Sequence, residues 1–371
     1  MTAEMRPPSL RAITSNRFIT RYSMSSTSTG SNIQVCFSTY ADRVVTLQSW
    51  WAKGKNVNSP FFPLLLDLRP CSTFEIQQLD HPKLKVAHIP ILCLRDRSFE
   101  LPARHVEFSI LVEPDRLQHA ESFFLGPKDP TRTRVGKPWK VANVLLDTPQ
   151  LWEHAAFLGM VSEKNTLLSF PRPRLWQPDA MVEKILLRHL INRESNGSLH
   201  IWDLASGSGR DVAFLAEELL AADNAYQVWG FDHRYNAKEK NITHGFLERR
   251  KVGHVTKCIQ KDLSSWDKLT SEHPTDSLAC LFCVRFWKPD LVASIAKSSN
   301  LSPGTLFGTS HFCKPFVGAT WNFDHPSEKS VLERTQLRDL FVAEGWEIVH
   351  DEVAVDSDHG RTMIHFVAKK V

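Results

Sequence analysis

Three acidic residues, each following an apolar run, mark where this chain could do chemistry. The run Leu199-His200-Ile201-Trp202 reaches Asp203 and Leu204, then enters Ala205-Ser206-Gly207-Ser208-Gly209, a turn of small residues. A helical pattern with apolar positions Val212, Phe214, Leu215 and Leu219 leaves that turn. Small residues let the backbone come close to a ligand, and glycine admits positive φ. The N-terminal N–H groups of the next helix point into the same space. A second run, Gln227–Phe231, ends in Asp232, 29 residues after Asp203, and a third, Val255–Lys261, leads to Asp262 and Leu263. One βα unit separates Asp203 from Asp232, so both belong at the carboxyl edge of neighbouring parallel strands, where open α/β sheets bind ligands. A dinucleotide needs an electropositive loop and a third glycine, but Val212 stands at that place. An acid closing the first strand suits a ligand with a cationic end instead.

Further candidates follow a fourth apolar run, Asp276–Trp287. Arg285, directly after a buried strand, is hard to explain as packing and is a candidate for the site. His311, at the end of a strand predicted over Gly304–Ser310, is a candidate general base. The aromatic-rich stretch 311–327 has the length of a substrate lid. Cys280-x-x-Cys283 sits in an apolar strand with no second ligand pair, so both thiols read as small buried hydrophobes. His350, His359 and His365 lack metal-ligand spacing, and no metal is expected. The stretch 356–360 reads as the hairpin before the last strand.

The order of these pieces resembles the class I S-adenosylmethionine-dependent methyltransferases, with Asp203–Gly209 in the place of motif I (D/E-x-G-x-G-x-G). Ala205 replaces the first glycine of that motif. The resemblance is closest to the TehB-like branch, whose members act on small molecules, and covers residue 175 onward. It implies S-adenosyl-L-methionine as cofactor and a seven-stranded Rossmann-like sheet whose terminal strand, Arg361–Lys369, is antiparallel. It implies that Asp203, Ala205, Ser206, Gly207, Ser208 and Gly209 hold the amino-acid end. Asp232 then accepts the ribose hydroxyls, Asp262 meets the adenine amino group, and the backbone of Leu263 lies beside the ring. Cys283, on the strand that carries motif IV, joins the cofactor-binding set.

In front of this half, the apolar run Phe61–Leu66 closes with Asp67-Leu68-Arg69, and Val86-Ala87-His88-Ile89-Pro90 follows. A strand is expected over Glu107–Val112, a helix over Asp115–Leu125, a Pro/Gly/basic loop at 126–138 and a strand over Lys140–Leu145. Alternation of this kind makes a small α/β unit with a parallel sheet. The Asp-x-Arg and His-Ile-Pro pieces resemble the rhodanese domain over about residues 40–155. A sulfur-transfer enzyme needs a low-pKa cysteine in the loop after its strand. That loop here is Glu113-Pro114-Asp115-Arg116-Leu117, with no cysteine. The unit is therefore expected to be non-catalytic, serving packing or recognition of a protein partner.

The domains expected are a tail or transit peptide at 1–34, a rhodanese-like domain at 35–159, a Pro-rich linker at 160–178 anchored by Trp176, and the methyltransferase domain at 179–371. That last domain opens with a helix capped by Asp179 and running to about Asn192. Residues 1–34 are Ser-rich, hold four arginines and one acid, and fit either an organellar transit peptide or a plain tail. The expected location is thus mitochondrial or cytoplasmic. Seven widely scattered cysteines make no disulfide framework. No apolar run approaches the ~18 residues that span a bilayer, so no membrane partner is expected. The net charge of +4 divides unevenly, +7 over 1–178 and −3 over 179–371. The densest basic run, Arg249-Arg250-Lys251, reads as a solvated helix end. The sequence thus points to an α/β methyltransferase acting on a small molecule, with nucleic acid disfavoured. An RNA methyltransferase using the basic front domain, or a non-catalytic adaptor, are the alternatives.

Overall fold

A computed structural model describes residues 39–54, 64–81, 84–125, 138–162, 173–193, 198–355 and 360–371. The tail at 1–34, most of the 126–138 loop, Phe61–Pro63, much of the linker and 356–359 of the expected hairpin lie outside them. In chain order the described strands are β1 (Leu64–Asp67), β2 (Gln78–Leu79), β3 (Lys85–His88), β4 (Glu107–Val112), β5 (Lys140–Leu146), β6 (Val161–Ser162), β7 (Leu199–Leu204), β8 (Tyr226–Asp232), β9 (Thr256–Gln260), β10 (Leu278–Val284), β11 (Leu306–Phe312), β12 (Trp346–Val355) and β13 (Thr362–Lys370).

Apolar runs buried on both faces make the parallel sheets. In the front half the order is β3-β1-β4-β5, all parallel. The segment Lys85–His88, which carries the His-Ile-Pro piece, is a strand of this sheet. The Asp-x-Arg pair closes β1 as a fully buried ion pair, with Arg69 Nη2 donating to Asp67 Oδ2 at 2.6 Å and to the Gln77 carbonyl at 2.8 Å. Ahead of β1, Tyr40–Arg43 forms a 3-10 turn and Leu47–Gly54 a helix. Val44 between them makes a bridge to Val144, which takes the backbone out of helical geometry.

The second half is a seven-stranded sheet in the order β12-β13-β11-β10-β7-β8-β9, with β13 antiparallel to both neighbours. That is the strand count and the antiparallel terminal strand the resemblance implies. The chain runs outward from β7 through β8 to β9, then returns to place β10 on the other side of β7. The sheet's topological switch point therefore lies between β7 and β10. Alternating side chains feed two cores: Trp202, Leu204 and Cys283 face helices 266–272, 289–297 and 336–343, while Ile201, Cys280 and Phe282 face helices 210–221 and 237–249. The two cysteines lie in opposite cores, as their odd spacing in a strand requires.

The segment opening this half departs from a plain α-helix. Asp179 does cap it, accepting from the Met181 N–H at 3.0 Å. Val182–Leu186 is then a π-helical turn, with the Leu187 N–H donating to the Val182 carbonyl, and Leu187–Ile191 is α-helical.

The run Arg249-Arg250-Lys251 is not a solvated helix end. Arg249 donates to Glu100 of the front half at 2.6 Å, and Arg250, only 6% exposed, pairs with Glu217 of helix 210–221. Arg174 adds bonds to Glu217 at 3.1 Å and Glu218 at 2.6 Å. The Phe246 ring meets Phe99 and Trp176 edge-on, at 5.1 and 6.0 Å. Burial raises the Glu100 carboxyl, but Arg97 and Arg249 outweigh it and leave the group below its ordinary range. Side-chain charges spaced one residue apart on a helix end point different ways, and here two of them reach separate buried carboxylates.

Glu217→Ala leaves Arg250 buried without its partner and should cost about 3 kcal/mol in urea unfolding. Removing the exposed Arg338 should cost under ~1 kcal/mol by the same measurement.

Candidate functional site

The turn after β7 is built from three left-handed residues in five: Ala205 at φ +65°, Gly207 at +57° and Gly209 at +75°. Gly209 begins the helix Arg210–Ala221 without a side-chain cap. A methyl on Gly209 would come within 2.9 Å of Thr243 Cγ2. Ala205 holds a conformation that costs an L-residue roughly 1–2 kcal/mol. The strain is held by the neighbouring strand: the Ala205 and Ser206 N–H groups donate to the Phe231 carbonyl at 2.8 and 3.1 Å. The Gly207 N–H donates to Asp232 Oδ2 at 2.9 Å, and the Ser206 and Tyr235 hydroxyls lie 2.7 Å apart. The loops after β7 and β8 are thus one hydrogen-bonded unit.

The acids around this turn are in different electrostatic states. Asp203 is 2% exposed and accepts no hydrogen bond from any described residue. Burial pushes its carboxyl well above the ordinary range, and the charges of Asp211, Asp232 and Asp179 add to the shift. Asp211 is pushed up to about 6, chiefly by burial and then by Asp179, although the Asp179 N–H donates to its Oδ1 at 3.0 Å. Asp232 behaves oppositely. Burial raises it, but the side chain and N–H of Arg234 and the N–H of Gly207 bring its carboxyl below the usual value. Its Oδ1 receives the Arg234 N–H at 2.8 Å and Nε at 3.2 Å.

A cavity of about 590 Å³ opens on this edge of the sheet and is lined by Asp203, Ala205, Ser206, Gly207, Ser208, Asp232, Asp262, Leu263, Arg285 and Phe286, among others. A second cavity of about 810 Å³ adjoins it, with Arg210, Asp211, Val284 and Arg285 on the walls of both. The fold therefore brings the turn, both strand-end acids, the Asp262-Leu263 pair and Arg285 around one space. Arg285 stands directly after β10 at φ +54° and donates its N–H to the Ser310 carbonyl at 2.7 Å.

Three sequence candidates stand apart from that space. Gly209 starts the helix beneath it. The Cys283 thiol is buried, donates to Thr309 Oγ1 at 3.3 Å, and is pushed up to about 12 by burial. His311 lies inside β11 rather than at its end and is 4% exposed. Its Nε2 donates to the Ser330 carbonyl at 2.7 Å, and it lines neither cavity described above. The stretch 311–327 begins within β11, and its Trp321 packs with Phe312, Val331 and Met363 in a small core. It contributes no residue to either cavity. Sequence reading passed over Arg210, Lys184 and Arg188, which line the second cavity. Only the position of Arg210, directly behind the glycine turn, signals it in one dimension.

No protein-family model and no curated protein matches the sequence. Several solved structures are similar in chain course. The 1,6-didemethyltoxoflavin-N1-methyltransferase of Burkholderia thailandensis is 17% identical over 52% of this chain and 79% of its own, at a TM-score of 0.37. YjhP from E. coli is 16% identical over 53% and 93%, at 0.39. The geranyl diphosphate C-methyltransferase of Streptomyces coelicolor A3(2) is 10% identical over 52% and 80%, at 0.36.

Two substitutions in the turn should move stability in opposite directions. Ala205→Gly relieves a left-handed alanine and should stabilise by up to about 1 kcal/mol. Gly209→Ala adds both strain and a clash, and should destabilise by at least ~1 kcal/mol in the same denaturation experiment.

The raised Asp203 carboxyl sets a further expectation, with the sign fixed by linkage. An acid whose folded pKa exceeds its unfolded value of about 4 weakens the ligand-free fold as pH rises through that window, and the deficit persists above it. Asp203→Asn should therefore raise the melting temperature at pH 7, with the gain vanishing below about pH 4.

Proposed function

We propose that the chain is an S-adenosylmethionine-dependent methyltransferase acting on a small molecule. The observation that carries the reading is Asp203, a buried carboxylate with no partner of its own, facing a cavity at the sheet's switch point. Burying an unpaired carboxylate is costly, and three neighbouring acids increase the cost, so the site fits a ligand bearing a cation. The ammonium of S-adenosylmethionine meets that demand. The left-handed turn lets backbone approach, Asp232 is held ionised to accept hydroxyl donors, and Asp262 with Leu263 completes the far wall. When bound, this cofactor supplies a methyl group on a sulfonium to a nucleophile held in line.

The chain's own part is positioning and exclusion of water, which can supply several kcal/mol. Arg210 and Arg285 stand at the junction of the two cavities, where the two reactants would meet. Arg234, which covers Asp232, is half exposed and free to swing away when ribose hydroxyls compete for that carboxylate. A small acceptor is supported by the size of the second cavity, which falls in the ~300–1,000 Å³ range of small-molecule sites. The RNA reading relied on basic residues of the front half, and the adaptor reading on a decayed site. Both are weaker for a turn whose strain and acids are kept.

The front domain is read as rhodanese-like and non-catalytic. Its parallel sheet supports the likeness, and a 3-10 turn, Pro114–Arg116, stands where a nucleophilic loop would follow β4. Cys71 and Cys93 lie elsewhere, after β1 and after β3. The purified chain should show no thiosulfate:cyanide sulfurtransferase activity, and a measurable rate would overturn this reading.

Calorimetry with S-adenosylmethionine should give a dissociation constant in the micromolar range, weakened at least about tenfold in Asp232→Ala. Absence of heat in the wild type would sink the cofactor assignment. Because burial pushes Asp211 up to about 6 and raises Asp203 well above the ordinary carboxylate range, the affinity should rise as pH increases through about 6. The sign follows from the chemistry: only the ionised carboxylates attract the ammonium, and binding releases their protons.

A further inference from the structure

We propose that the second cavity is the acceptor site and that it selects a small acceptor bearing an anionic group, a carboxylate or a phosphate, held by Lys184 and Arg188. The methyl transfer rests on the reading above, whereas the anion selectivity rests on the cavity alone. Four permanent cations line this space: Lys184, Arg188, Arg210 and Arg285. Lys184, Arg188 and Arg210 have no ion pair with any described residue. Elsewhere in this half, Arg249, Arg250, Arg334 and Arg338 are each committed to a carboxylate.

On the same wall Asp211 faces the charges of Arg210 and Arg285, whereas among the described residues no acid forms an ion pair with Lys184 or Arg188. Asp179 accepts from the Met181 N–H, and Asp211 accepts from the Asp179 N–H. Glu352 is exposed and sits beside His350, 3.6 Å from its Nε2. Burial lowers the proton affinity of Arg210, Asp211 opposes that shift, and the nearby charge of Arg285 adds to it. Like charges converging on a concave, largely polar wall favour an anion between them, and a charge-assisted bond to carboxylate or phosphate is the strong form of such a contact.

The local backbone supports the same conclusion. Lys184 and Ile185 belong to the π-helical turn, and Arg188 and His189 follow it on the same cavity wall. A π turn costs helix regularity, and such turns are frequent at functional sites. The cavity also takes Ala103 and His105 from the front half, in the loop before β4. The front domain thus supplies one wall of the acceptor site, a role that needs no sulfur nucleophile.

The test uses the full chain, with inorganic phosphate and succinate as probes and the neutral diamide of succinate as control, all at constant ionic strength. Calorimetry and thermal shift should show saturable binding of at least one anion and none of the diamide. The stronger of the two anions identifies the group. The double variant Lys184→Gln/Arg188→Gln should bind that anion about tenfold more weakly, while its anion-free melting curve matches the wild type. No anion binding to the wild type, equal binding of the diamide, or unchanged affinity in a folded double variant would each overturn the proposal. Cofactor heat without an anion effect would strike this inference alone. Anion binding without cofactor heat would strike the methyltransferase reading and leave the anion site standing.

Discussion

A carboxylate that the fold buries and does not satisfy governs the organisation of this molecule. Asp203 sits at the end of the central strand of a seven-stranded sheet, where burial first, and then the charges of Asp211, Asp232 and Asp179, make its carboxyl harder to ionise. A protein under selection for stability alone would replace such a residue or pair it. Its retention beside a cavity ties the stability of the empty protein to the chemistry of whatever fills that cavity. The turn that follows obeys the same logic. An alanine in left-handed conformation is kept in place by two hydrogen bonds to β8, so strain is stored at the point where backbone must come closest to a ligand.

The switch point explains why the pieces converge. Because β8 and β9 lie on one side of β7 and β10 on the other, the loops after β7 and β10 diverge and leave a crevice between them. Asp203 and the turn form one bank, Arg285 the other, and the loops after β8 and β9 add Arg234 and the Asp262-Leu263 pair. The crevice continues into the larger cavity, and the two meet at Arg210 and Arg285. Carboxylates and cations stand on both sides: Asp203, Asp232 and Asp262 with Arg234, Lys261 and Lys288 around the first cavity, and Asp179 and Glu352 with Lys184 and Arg188 around the second.

The front half contributes through specific contacts. Arg249 reaches Glu100, and the Phe246 ring lies between Phe99 and Trp176. Arg250 and Arg174 meanwhile converge on Glu217 in the helix that leaves the glycine turn. That helix is therefore anchored by ion pairs with a buried carboxylate toward its far end. A net charge of +7 on the front half, taken as a sum, gave no hint of this. Charges act through the particular carboxylates they reach.

Much of the fold was legible in one dimension because buried parallel strands must be apolar on both faces and helices must follow them. The strand over Glu107–Val112 matches residue for residue, and the acids closing β7 and β8 stand where the sequence places them. The spacing of Asp203, Ala205–Ser208, Asp232 and Asp262-Leu263 was enough to bring them to one wall of the cavity, since each lies at or just past a strand end and strand ends share an edge. What required the tertiary structure was every relation between residues distant in sequence. His311 looked free to act, yet burial and the Ser330 carbonyl occupy it. Lys184 and Arg188 carried no signal of their own in the sequence, and only the fold places these exposed side chains on a cavity wall. Local pattern dictates which element a residue joins, because propensity and periodicity act over a few residues. Which groups meet, and which charges remain uncompensated, is decided by packing, and packing is a property of the whole chain.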